Sequence, residues 1–550
     1  MILSSFFSRL GELAPAAIAL LSGSLAYAEI HYRLAGLPSR LFQREPEILF
    51  DLPHRARIGK SVPLFLLIKD AHRYPVELGE IRIEAIATEG GINKKLILSA
   101  AATVNREWHA PVFELPPDFF DAPGLWEVNI TLDYAVKGRS GTLTQDNYPG
   151  IPHAPFQIFI AEGDLPRLPG LKWGDLHVHS NYTNSQIEFG APLPHLVRCA
   201  GTLDLDFLAV TDHSFDLDRR APFSRQRDPQ LTNWGRFQAE CLQYADPAAG
   251  PVILPGEEVS TGNVRGENVH CLVLGAPEFF PGRGDGGEIP PFNHPTLFLP
   301  ELILKAKRHP GAVVAAAHPR DNPPFFHRLI LRRGRWHRPD LHQPGIGHWQ
   351  ILNGRGDRAF REGLKLWVEA LLDGRRIGIL GGTDAHGNFN TFRQITIPMW
   401  KMVRNQQQLL GQIRTGVWAE GEPTPANILK AIAAKASIVS CGPAGNLTLV
   451  QDDGKFGIGA SARAHHPTEV RIEALSTAEY GPLTRIELHI GDLQQKQERP
   501  EILEISAESF HFRHTLTLPK GLAPGYLRLV VFAENGRWRT FCYSNPVWVG

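Results

Sequence analysis

The sequence predicts a multidomain α/β protein in which a (β/α) barrel lies between two β-domains. Three observations lead there. Apolar strand-like runs alternate with helical segments across residues 171–440, the size and texture of a barrel. Short alternating runs without long helices fill residues 46–165, and the same texture returns over 441–550. Pro149 to Pro152 and then Pro166 to Gly170, rich in proline and glycine, read as the linker between the first two regions.

In the first β-region, Val62–Ile68, Ile81–Ile86 and Trp126–Leu132 are β-like runs bounded by Pro, Gly, Asp or Asn, as in an immunoglobulin-sized sandwich. The helical segments of the middle region are Trp234 to Tyr244, Pro300 to Lys307 and Ala359 to Leu372. The last of these sets Phe360, Leu364, Trp367 and Leu371 on one face. The closing β-domain is read from Glu469–Ala474, Thr484–Ile490, Thr515–Leu518 and Tyr526–Ala533.

With 57 Lys and Arg against 57 Asp and Glu, the chain carries no net charge, which excludes a globally basic nucleic-acid binder. Its 43% hydrophobic and 21% charged residues are enough to build buried cores. Five scattered cysteines, with no CxxC pair, form neither a disulfide framework nor a zinc knuckle. Residues 1–45 form an N-terminal apolar segment, either a buried helix or a signal peptide. Leu13 to Ala28 is apolar, Arg9 precedes it and Ala26-Tyr27-Ala28 resembles a cleavage site, yet Glu12 and Pro15 interrupt its start. A cytoplasmic chain is favoured, with export as the alternative carried by residues 1–28. No transmembrane anchor is expected, and the oligomeric state is left open.

The chemistry-bearing residues stand where predicted strands end. His177 and His179, two apart, share one face of a strand and can reach one cation. Leu205–Val210 runs into Thr211-Asp212-His213, and Val252–Leu254 into Gly256-Glu257-Glu258. His270 interrupts the apolar run Val269–Gly275. Val313–Ala317 ends in His318-Pro319-Arg320, and Ile377–Leu380 leads to Thr383-Asp384-Ala385-His386. A lone histidine on an apolar strand is ordinarily a core or surface residue. Six strand ends converging on one barrel mouth are a metal centre. Imidazole and carboxylate suit Zn, Mn or Fe better than Ca or Mg, and eight groups exceed one tetrahedral site, so two or three divalent ions per chain are expected.

In this order, the series Asp175-Leu176-His177-Val178-His179-Ser180, Thr211-Asp212-His213, Gly256-Glu257-Glu258-Val259-Ser260, His318-Pro319 and Thr383-Asp384-Ala385-His386 resembles the polymerase-and-histidinol-phosphatase (PHP) superfamily. The flanking β-regions, Cys441-Gly442-Pro443 and Ser544-Asn545-Pro546 are similar to a subgroup related to carbaryl hydrolase. The resemblance implies a distorted (β/α)7 barrel flanked by N- and C-terminal β-sandwich domains, and phosphoester hydrolysis. It implies His177, His179, His213, Glu258, His270, His318, Asp384 and His386 as metal ligands, with His177, Glu258 and Asp384 catalytic and Glu258, rather than Glu257, bridging. The chain departs from the family at Asn184, where an aspartate is usual, which puts one metal position in doubt; Glu188 lies in the same loop.

Three functions follow. The first is a metal-dependent phosphoesterase acting on a small phosphorylated or nucleotide-like substrate through metal-activated hydroxide. The second is a carboxylic-ester or carbamate hydrolase using the same centre. The third is a non-catalytic binding protein, for which Asn184 is the support. Arg320 could hold a phosphate oxygen or lie on the surface. Arg328, Arg332, Arg333, Arg335 and Arg338 around Trp336 could grip nucleic acid, although a solvated loop is the plainer reading. Gly282–Gly287 lacks the Lys-Ser/Thr of a phosphate loop and reads as a flexible surface loop. Cys271 should face away from His270 into the core. No Gly-x-Ser-x-Gly elbow lies near the site, which argues against a serine hydrolase.

Overall fold

The computed structural model describes residues 25–26, 45–148, 150–184, 189–220, 226–285, 293–323, 325–397, 401–536 and 538–550. The expected N-terminal helix or signal peptide therefore lies outside the described residues, except that Leu25–Ala26 pairs with Gln394 and Ile395.

β-Branched and aromatic alternation produces two packed sheets over residues 47–161. Glu47–Asp51, Val62–Lys69, Trp108–His109 and Val112–Leu115 form one; Val76–Ala87, Asn93–Val104, Gly124–Val136 and Phe156–Ala161 build most of the other. Their inward residues, among them Ile48, Leu64, Ile81, Trp126, Val128 and Ile158, make one core. This unit is tied to the middle region by Asp51, whose carboxylate accepts from the Phe389 and Asn390 N–H groups at 3.1 and 3.0 Å.

The middle region does not form the expected α/β barrel. Among the described residues strand dominates, 44% against 13% helix. Leu171–Val178, Phe207–Val210 and Val252–Gly262 run parallel, Asn268–Leu274 reverses, and Val313–Ala317, His348–Asn353 and Gly378–Gly382 are parallel to one another. The run curls until the Asp384 N–H donates to the His177 carbonyl and the His179 N–H to the Ala385 carbonyl, both at 2.8 Å. At its other end it does not close as a barrel. Arg414–Trp418 pairs antiparallel with Leu171–Gly174, and Thr415 Oγ1 caps both the N–H and the carbonyl of Gly381 at 2.9 and 2.8 Å.

The sheet then continues through Ser437–Ser440 into Arg539–Ser544 and Gly525–Glu534, so that one fifteen-stranded sheet crosses the middle and C-terminal regions. The fold-class reading of a (β/α)7 barrel between separate sandwiches is corrected accordingly. Local periodicity distinguished strand from helix but could not reveal which distant strands pair. A second sheet, Ala444–Gln451, Gly454–Gly457, Thr468–Leu475 and His511–Leu518, packs on the C-terminal part. Among the described residues no helix is long and apolar enough to cross a membrane.

Helix Arg358–Leu372 starts where Asp357 accepts from the Phe360 N–H, and it buries Phe360, Trp367 and Leu371 against the sheet. Cys271 is buried in the core, as alternation on its strand requires. The Ser-Asn-Pro segment also has a structural role. Buried Asn545 accepts from the Ile379 N–H at 2.7 Å, donates back to the Ile379 carbonyl at 3.2 Å and donates to Ser437 Oγ at 2.8 Å.

Two predictions follow from this packing. Asn545→Ala strands a buried backbone pair and lowers stability by about 3 kcal/mol, read from urea unfolding. The second concerns His54, partly buried, and His348, buried, whose rings donate to the Leu410 and Ile432 carbonyls; desolvation pushes them down to about 4 and about 3. The unfolded chain takes up these protons near 6.5 and the folded chain resists, so their contribution is full above that pH and is lost as pH falls towards 4 and 3. His348→Gln should flatten the slope of unfolding free energy against pH between 6 and 4 by up to about 1.4 kcal/mol per pH unit.

Candidate metal centre

All eight residues read from the sequence converge on the Glu258 carboxylate or its immediate neighbours. Glu258 Oε1 faces His270 Nδ1 at 2.5 Å and His318 Nε2 at 3.1 Å. Its Oε2 faces His213 Nδ1 at 3.1 Å, His179 Nε2 at 3.3 Å and His177 Nε2 at 3.5 Å. Asp384 Oδ1 lies 3.2 Å from His179 Nε2 and 3.4 Å from His177 Nε2, and His386 stacks on His179 with ring centroids 4.1 Å apart. Three overlapping sets have ligand atoms close enough for one ion each. They are His179, His213 and His386; His177, His179, Glu258 and Asp384; and His213, Glu258 and His270. Alternation sends Glu257 elsewhere: its carboxylate accepts from Ser214 Oγ and the Phe280 N–H, and burial pushes it up to about 8.

The backbone makes this convergence possible. Gly382 lets the His177 strand approach, since a Cβ there would sit 2.7 Å from His177 Cβ. His318 and Asp384 leave their strands with positive φ, 29° and 56°, a costly geometry that turns each side chain into the mouth. Asp175 and Asp212 brace the loops instead of facing the cluster. Asp175 accepts from Thr383, Gly411 and His177 N–H groups at 3.0 to 3.2 Å, and burial raises it to about 6. Asp212 accepts from the Ser180 and Thr183 N–H groups and both their hydroxyls.

Hydrogen bonds around the rim set which ring nitrogens face inward. Gln350 donates to Asn353 Oδ1 at 3.1 Å, which orients its amide, so its Oε1 accepts from His177 Nδ1–H at 2.9 Å. The Thr183 hydroxyl donates to Asp212, so its oxygen accepts from His179 Nδ1–H at 3.0 Å. Two Nε2 lone pairs are then left 3.3 Å apart beside two carboxylates. Such a set is stable when a cation, or protons, occupies the space between them. The charge balance points the same way. Burial would lower His177, His179 and His270, yet neighbouring carboxylates outweigh it and hold all three above the ordinary range, His179 at about 9. Against its own burial, Glu258 is held well below the carboxylate range by His270, His177 and His213. The donor set therefore fits divalent cations.

Several residues escaped the sequence reading. Gln350 lay unmarked inside a strand. Asp321, half-exposed 3.9 Å from His318 Nδ1, was hidden in a loop. Asp285, fully buried, meets His270 Nε2 and accepts from Arg333 Nε at 2.7 Å, so Gly282 to Asp285 is an anchored segment rather than a free surface loop. Trp336 is core and Arg338 pairs with Glu369, which removes the aromatic platform from the arginine cluster. Arg320 is committed to Glu362 at 3.1 Å. Asn184 Oδ1 is buried without a hydrogen-bond partner, and Glu188 lies outside the described residues.

No family model and no curated protein matches the chain. Solved structures aligned to it include a β-glucuronidase from Parabacteroides merdae, 9% identical over 92% of this chain and 64% of that one, at a TM-score of 0.17. A glycosyl hydrolase family 2 member from Bacteroides cellulosilyticus is 10% identical over 92% and 62%, at a TM-score of 0.14. The chain thus spans slightly under two thirds of the length of these proteins. The membership of the PHP superfamily that the motifs suggested is corrected here: no family model matches the chain. At such TM-scores these alignments establish no common fold or activity in its place.

If the cluster holds cations, protein loaded with Mn²⁺ and desalted should retain at least two ions per chain. Glu258→Gln should retain one or none, as counted by elemental analysis.

Proposed function

We propose that the chain is a metal-dependent hydrolase and that the bond it cleaves is a phosphoester. The observation that carries this reading is the Glu258 carboxylate with its two oxygens facing separate sets of inward-pointing imidazole nitrogens. A carboxylate so placed would hold divalent ions together with the imidazoles on either side of it. Divalent ions bound there would supply hydroxide at neutral pH and neutralise charge on a phosphoryl oxygen.

The chain's own groups divide the remaining work. Glu258 spans both halves of the centre, while His177 and His179 are held by Gln350 and Thr183 so that they need not reorient during turnover. His318 and Asp384, with 19% and 21% of their side chains exposed, are the open members of the set, the others being at most 6% exposed. Substrate therefore approaches from their side. Asn353 Nδ2, 3.5 Å from Asp384 Oδ2, fixes the second oxygen of that carboxylate on the same side. Phosphoester is the preferred bond because paired dications best offset a phosphate's negative charge.

Mn-reconstituted wild type should hydrolyse bis-p-nitrophenyl phosphate or p-nitrophenyl phosphate, and His177→Ala or Asp384→Ala should lower kcat/KM at least 100-fold. Turnover of p-nitrophenyl acetate alone, lost in the same variants, would move the reaction to carboxylic esters. Chelator-insensitive turnover of a p-nitrophenyl glycoside, with no phosphate activity, would overturn the proposal in favour of a metal-independent glycosidase.

A further inference from the structure

Of the inward-facing imidazoles, His270 has a carboxylate on each nitrogen. Its Nδ1 meets Glu258 Oε1 at 2.5 Å, and its Nε2 meets Asp285 Oδ2. Asp285 has no solvent exposure, and both its oxygens accept from Arg333 Nε, at 2.7 and 2.8 Å. The Arg333 guanidinium holds Asp285 well below the carboxylate range against its burial, with His270 adding to the effect.

The two segments that deliver these groups are fastened to the strand that carries His270. Asn268, two residues earlier, donates through Nδ2 to the Gly284 and Leu331 carbonyls, both at 2.8 Å. Its backbone bonds Arg332 and Gly334, also at 2.8 Å. Gly284 has φ 120°, and a Cβ there would lie 2.2 Å from the His294 carbonyl oxygen, so glycine is required for the segment to enter. One asparagine thus sets the spacing of strand, acid and arginine.

We propose that Asp285, backed by Arg333, is the positioning residue for His270 in the centre. By accepting from His270 Nε2–H it fixes the tautomer that turns the Nδ1 lone pair towards Glu258 Oε1, and so controls how tightly an ion beside that oxygen would be held. This rests on the metal-centre reading above. A buried carboxylate behind a ligating imidazole orients the ring and raises its basicity, and loss of such a partner typically costs 10- to 100-fold in affinity. The position is open to control because Arg333, unlike Asp285, is partly exposed, with 29% of its side chain accessible.

The test titrates full-length wild type, Asp285→Asn, Asp285→Glu and Arg333→Gln with Co²⁺. Equilibrium dialysis and the visible ligand-field bands are recorded, and thermal melts confirm folding. The expected result is that Asp285→Asn weakens one equivalent of Co²⁺ 10- to 100-fold and shifts its band. The remaining equivalents should stay near wild type, Asp285→Glu should recover part of the affinity, and Arg333→Gln should show a smaller loss of the same equivalent. Wild-type affinities and an unchanged spectrum in folded Asp285→Asn, or in Arg333→Gln should Asp285→Asn not fold, would overturn the inference and leave the metal centre standing. Failure of wild type to bind Co²⁺ would overturn both.

Discussion

The arrangement of the middle region depends on one constraint, the burial of the Glu258 carboxylate. A carboxylate removed from water is costly unless positive charge and donors surround it. Here five imidazoles face it across the space that a cation or protons would fill, carried on or just after four strands, Leu171–Val178, Phe207–Val210, Asn268–Leu274 and Val313–Ala317. Each must arrive with the correct nitrogen inward, and that requirement passes outward to the next layer of residues. Gln350 serves His177, Thr183 and Asp212 serve His179, and Asp285 serves His270.

Strain in the backbone is compatible with this only because the surrounding sheet is stiff. The positive φ angles at His318 and Asp384 each oppose the ordinary preference of an L-residue. They persist where neighbouring strands over-determine the chain: the Asp384 N–H is held by the His177 carbonyl, and Asp321 N–H is held by the His318 carbonyl at 3.0 Å. Arg414–Trp418 adds to this rigidity by lying against both the first and the last strands of the curled run. The C-terminal β-region reaches the same sheet through Asn545, which pairs with the Ile379 backbone.

What could be read in the sequence follows from how local each cause is. An apolar run of four to six residues followed by His or Asp is a local pattern, and so the eight candidate ligands were legible. Alternation separated His270 from Cys271, whereas Glu258 was preferred to Glu257 only through the Gly-x-Glu pattern of the family that the motifs resemble. The reversed direction of Asn268–Leu274 was not legible, because the same residues suit a parallel or an antiparallel neighbour. Nor were the bracing residues: Gln350 stands 173 positions from His177, and Arg333 stands 48 from Asp285. Glycine around Asp285 looked like freedom, when it served close approach at Gly284.

The Asn545 contact carries a consequence in time. Ile379 is made 166 residues before the side chain that satisfies its backbone. At the usual synthesis rate of about 5–20 residues per second, that interval is roughly 8–33 s. Throughout it the N–H and carbonyl of Ile379, on the strand that leads directly to Asp384, lack the partner that satisfies them in the folded chain. The eight candidate ligands, the last of them His386, are therefore all synthesised before the side chain that completes the backbone pairing at Ile379.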